Sequence, residues 1–71
     1  MSIRLITGQF CSRCHMISPM LKKYAEANWY EYVEIDVQQA TPEDLGTATM
    51  LPVIWFGEEQ KDFDEVLAMI S

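Results

Sequence analysis

The only two cysteines and the only histidine of the chain fall together, in Cys11-Ser12-Arg13-Cys14-His15. Two thiols at this spacing can cycle between dithiol and disulfide, and Cys-x-x-Cys-His also serves covalent haem attachment. A closed zinc site wants four ligands, and three crowded into one turn do not supply them, so no metal is expected. A crosslink closing so short a loop adds little stability. The pair therefore reads as reactive rather than as a staple. Spacing alone does not separate the redox and haem readings, so the surrounding elements must.

Ile3 to Thr7 is a short β-branched run ended by Gly8, which predicts a strand. Apolar residues at Cys14, Ile17, Leu21, Tyr24 and Ala25 have helical spacing, predicting a helix over 11–27. Pro19 lies inside it and should kink it near His15. Tyr30 to Val37 alternates, with Val33, Ile35 and Val37 on one face, and predicts a second strand. Thr41-Pro42-Glu43-Asp44 combines an N-cap, a proline at the first helical position and acids in the first turn, so a short helix should start there and end before Leu51. Pro52 to Phe56 is apolar on both faces, as a central strand covered on both sides would be. Residues 57–60 turn the chain, with room for a short edge strand. Phe63, Val66, Leu67 and Ile70 predict a closing helix over 62–70. The order β-α-β-α-β-(β)-α implies an α/β domain with a three- to four-stranded mixed sheet, three helices and a right-handed crossover. Small haem carriers of the c type are almost wholly helical, so two convincing strands weigh against haem.

Seventy-one residues make one domain, 1–71. A net charge of −6 argues against nucleic-acid or anionic-membrane binding, since counterion release needs clustered basic residues. No apolar run approaches the ~20 residues that span a bilayer. The N-terminus carries no secretory signature, so a cytoplasmic location is expected, where such cysteine pairs are catalytic. Residues 1–30 sum to +3 and residues 31–71 to −9, so basic residues (Arg4, Arg13, Lys22, Lys23) accompany the dithiol. They either solvate helix faces or steer an acidic partner segment.

Phe10-Cys11-Ser12-Arg13-Cys14, with Pro19 five positions after Cys14, resembles the active-site strand-to-helix turn of the thioredoxin and glutaredoxin superfamily. Ile35-Asp36-Val37 resembles the end of that fold's next strand, and Met50-Leu51-Pro52 its cis-proline loop. The extra N-terminal strand and helix of thioredoxin are missing, so the layout is closer to glutaredoxins and the small glutaredoxin-like donors to ribonucleotide reductase. The glutathione site matches only in part. Asp64 fits, the paired glycines before it are absent, and Gly8 stands where that family carries a lysine. The resemblance therefore implies a thiol–disulfide oxidoreductase without a cofactor beyond its own redox-active disulfide. It would act as a monomer on a disulfide-bearing protein, ribonucleotide reductase being one candidate. Thioredoxin reductase or glutathione would regenerate it. A glutathione-dependent glutaredoxin is the near alternative; a haem carrier and a redox-inert binding module are the distant ones.

A thiolate is the attacking species, so the nucleophile needs exposure and a lowered pKa. Cys11, expected at the start of a helix whose N–H groups favour negative charge, fits the nucleophile, with Arg13 adding positive charge. Cys14, one turn on and facing the core, fits the resolving thiol. The resemblance implies substrate contacts from Phe10, Ser12, Arg13, Met50, Leu51 and Pro52. In it Pro52 is cis and the Leu51 backbone pairs with substrate like an added strand; the plain alternative is a trans proline opening a strand. Phe10 reads equally as core packing or as an aromatic lip. His15 reads as a surface residue, a thiolate partner or a haem ligand. Trp29, Tyr30, Trp55 and Phe63 read as core or core edge, and Met16 and Met20 as adaptable packing.

Overall fold

The computed structural model describes residues 1–48 and 50–70. The elements are β1 (Ser2–Thr7), α1 (Ser12–Ala27), β2 (Glu31–Asp36), α2 (Pro42–Leu45), β3 (Val53–Phe56), β4 (Glu59–Lys61) and α3 (Phe63–Ile70). Their order is the one the sequence predicts. The sheet runs β2-β1-β3-β4. β1 and β2 are parallel, joined through α1, while β1/β3 and β3/β4 are antiparallel.

Register assigns each side chain to a face, because directly paired residues share one. Ile3 and Leu5 pair with Phe56 and Ile54, so these four line the same face. On it sit Ile17, Leu21 and Ala25 of α1 and Val66 of α3, all buried. Burial of each large aliphatic side chain stabilises by about 1.5–3 kcal/mol. The opposite face carries Ile6 and Val53, also buried, beside Arg4 and Trp55. Only α2 lies there. Its Thr41 and Asp44 form a capping box, at 3.2 Å and 3.0 Å, with Pro42 opening the helix. Gly46, at φ +57°, ends it, before Leu51 as the sequence reading expects.

The sequence sets Val33 and Ile35 on one face of β2, and the structure turns that face away from the α1 core. The α1 side of β2 belongs to Tyr32 and Glu34, which pair in register with Ile3 and Leu5, and Val33 is exposed. As the edge strand, β2 is tied to α1 by polar contacts instead. Tyr32 donates its hydroxyl to Glu34 Oε1 at 2.8 Å, and Ser18 donates to the same oxygen. The Ser18 hydrogen bond, with that of Tyr32, holds the Glu34 carboxyl below its ordinary range. Burial, with the Glu34 charge beside it, pushes the Tyr32 phenol up. Trp29 is not core. It stands 94% exposed at φ +61°, in the turn where Tyr30 N donates back to Ala25 O at 2.9 Å. Tyr30, the next residue, takes the inward position and packs on Tyr24. Met16 is likewise exposed and packs no core.

Candidate functional site

Cys11 is the N-cap of α1 rather than its first residue. Its backbone is extended (φ −110°, ψ 102°) and its carbonyl accepts from His15 N at 3.1 Å. Its Sγ accepts the Cys14 N–H, also at 3.1 Å. A sulfur so placed lies where unpaired helix N–H groups and the macrodipole favour negative charge. Cys14 begins the buried stripe that continues through Ile17, Leu21 and Ala25. The two cysteines form a disulfide with Cα atoms 5.2 Å apart. Cys14 has no exposed surface, whereas Cys11 is half-buried. The pair is thus asymmetric: one sulfur can be approached and the other waits behind it. α1 continues as helix through Pro19.

The proline segment lies beside this pair. The Leu51–Pro52 peptide bond is cis, and Pro52 is buried. Leu51 lies over Gly8: a Cβ added at Gly8 would come 2.7 Å from Leu51 Cδ1 and 3.9 Å from the Cys11 Cβ. Gly8 was not among the site residues expected from the sequence, and it is what lets Leu51 approach. Met50 and Leu51 separate two clefts. One, of about 490 Å³, is lined by Phe10, Cys11, Val37, Met50 and Leu51, with Asp36 its only charged residue. The other, of about 460 Å³, lies between Leu51–Pro52 and the start of α3, and includes Arg13, Phe63 and Asp64.

Phe10 is 96% exposed, which removes the core reading and leaves it as a wall of the Cys11 cleft. Ser12 is exposed at the first position of α1. The Arg13 guanidinium lies over the Phe63 ring, 5.4 Å from its centroid, in the cleft that Cys11 does not line. His15 is exposed, with Nε2 3.1 Å from Gln9 O. Of the basic residues grouped with the dithiol by sequence, Arg4 is drawn away. It pairs with Asp44 at 3.1 Å and lies over Trp55, under the other face of the sheet. The Thr41 N–H, then the Thr41 hydroxyl and Arg4, hold the Asp44 carboxyl below its ordinary range. Lys61, beside the second cleft, donates to Glu59 at 3.0 Å and lies 3.8 Å from Glu65, contacts that raise its pKa.

Among the described residues no three His, Cys, Asp or Glu side chains gather as a metal site. No helix among them is long and apolar enough to cross a membrane. The arrangement is an α/β domain whose Cys-x-x-Cys pair is at disulfide distance, which is compatible with redox chemistry. No family model matches the chain, and no curated protein matches it.

Proposed function

We propose that this chain is a small thioredoxin-like thiol–disulfide oxidoreductase that reduces protein disulfides through Cys11 and Cys14. The observation that carries the reading is the asymmetry of the pair. Cys11 is reachable and caps a helix with its sulfur, and Cys14 is sealed in the core one turn behind. In the reduced protein the Cys11 thiolate attacks one sulfur of a partner disulfide. The partner S–S bond breaks, its leaving thiolate takes a proton, and a mixed disulfide forms at Cys11. Cys14 then loses its proton and attacks the Cys11 sulfur. The second partner thiolate leaves, and the Cys11–Cys14 disulfide forms. Two electrons have passed to the partner; a reductase, or two glutathione thiols, returns them. The chemistry needs no added cofactor, and a reducing compartment such as the cytoplasm suits it.

Phe10, Met50 and Leu51 offer apolar contact around Cys11, and the Leu51 segment lining the same cleft supports strand-like docking of a partner chain. A glutathione-using variant of the same reading draws on Asp64 and Arg13, which line the neighbouring cleft. The haem reading fits poorly, because a thioether at Cys14 would have to be built where no surface is exposed.

Cysteine-to-serine trapping is the direct test. Cys14→Ser should accumulate a mixed disulfide with a disulfide-bearing polypeptide such as insulin, linked through Cys11, and Cys11→Ser should neither trap nor turn over. Trapping by Cys11→Ser alone would reverse the roles, and turnover by the double variant would sink the reading. Regeneration of the oxidised protein by thioredoxin reductase with NADPH, set against glutathione alone, identifies the electron source.

A further inference from the structure

The segment that brings Leu51 and Pro52 to Cys11 is fastened in an unusual way. Residues 44–48 make no ladder with any strand. Besides the Arg4–Asp44 pair, they are held by two side chains that face each other across β3 and β4, Trp55 and Gln60. Trp55 Nε1 donates to Asp44 O at 2.6 Å. Gln60 Nε2 donates to Leu45 O at 3.2 Å. Gln60 Oε1 accepts both the Thr47 N–H, at 3.2 Å, and the Thr47 hydroxyl, at 3.3 Å. One amide thus grips the chain on both sides of Gly46. That glycine has φ +57°, and a Cβ there would meet Gln60 and, at 2.9 Å, Trp55 Cζ2.

Beneath the proline segment the packing is loose. A cavity of about 160 Å³ lies between Leu45 and Ala48 on one side and Met50, Leu51 and Val53 on the other. Side-chain packing therefore leaves Leu51 room to shift. The polar grip on residues 44–47, one wall of that cavity, limits where it can go.

We infer that Gln60 is a positioning residue: by clamping Leu45 and Thr47 it fixes the Leu51–Pro52 segment against Cys11, and so sets how well a polypeptide disulfide is presented to the thiolate. This rests on the oxidoreductase reading above. Cys11 itself is held by α1 and the core, elements that Gln60 does not touch. Loss of the clamp should spare the intrinsic reactivity of the dithiol and harm only the docking of an extended substrate. A displacement of about 1 Å in such a contact can lower turnover on the order of a hundredfold.

The experiment compares two disulfides on the same variants: insulin, which must dock as a chain, and 5,5′-dithiobis(2-nitrobenzoic acid), which needs only an open thiolate. For Gln60→Ala, kcat/KM toward insulin should fall about ten- to hundredfold, mostly through KM. The rate with the small disulfide should stay within about twofold. Gln60→Glu keeps the acceptor for Thr47 and loses the donor to Leu45, and should fall between wild type and Gln60→Ala. Gly46→Ala, which displaces the clamp from the other side, should reproduce the Gln60→Ala pattern. Equal loss with both disulfides would mean general destabilisation and overturn the inference, as would unchanged insulin kinetics. Failure of the wild-type protein to reduce either disulfide would instead overturn the oxidoreductase reading itself.

Discussion

Against one face of the sheet, Ile17, Leu21 and Ala25 of α1 and Val66 of α3 close over Ile3, Leu5, Ile54 and Phe56 without a polar atom among their side chains. Against the other, a four-residue helix is tied down by an Arg4–Asp44 pair, an indole N–H and one glutamine amide. The first face carries the dithiol; the second carries the approach to the proline segment. Apolar packing is non-directional and strong in sum, so it suits the helix that holds the Cys11–Cys14 pair. Hydrogen bonds at a partly exposed edge are individually weak but directional. They suit a segment whose task is to present backbone at a set position. On the oxidoreductase reading, the fold thus separates what keeps the protein folded from what aims its substrate.

That separation can be broken at graded cost. Leu21→Ala, in the middle of the buried stripe, should lose about 3 kcal/mol of unfolding free energy in a denaturant titration, with insulin and small-disulfide rates falling together as the folded fraction falls. Trp55→Phe keeps an aromatic side chain but removes the indole N–H that donates to Asp44; about 1 kcal/mol is the expected loss from that hydrogen bond. If it matched Leu21→Ala, the second face would be as structural as the first and the contrast would collapse. The smallest effect is acid sensitivity. The carboxyl of Asp44 has a folded-state pKa below its ordinary value, so its contribution is present above about pH 4 and is lost as pH falls through the folded pKa. Asp44→Asn, which retains a capping side chain, should therefore show a shallower loss of stability between about pH 4 and pH 2 than wild type. A parallel pair of acid curves would show that the Asp44 charge does not tie α2 down.

The dithiol face was legible because its signals are local. Cys14, Ile17, Leu21 and Ala25 have helical spacing, and Phe10-Cys11 and Pro19 stand at fixed offsets around them. The element order was legible for the same reason. The clamp face was not. Arg4 meets Asp44 forty residues away, and Gln60 meets Leu45 fifteen away, through a register of β3 and β4 that no spacing announces. Arg4 accordingly read as a basic neighbour of the dithiol when it is committed elsewhere. In β2 the alternation was legible but the side it faces was not, because Tyr32 and Glu34 reach α1 through their polar ends while Val33 stays in solvent. Trp29 misled for a simpler reason: its size argues for burial, and only its left-handed backbone, invisible in sequence, turns it outward.

On the oxidoreductase reading, the sulfur of Cys11 does two jobs that pull in different directions. As the N-cap of α1 it occupies a position where serine, aspartate or asparagine would serve the helix better. As nucleophile it must be cysteine. Position 11 is therefore a point at which selection for folding alone would discard the chemistry. A lineage freed from its partner should drift there first, towards a chain that is sturdier in its reduced form and inert. On the same reading, persistence of a sulfur at that cap marks the activity as maintained.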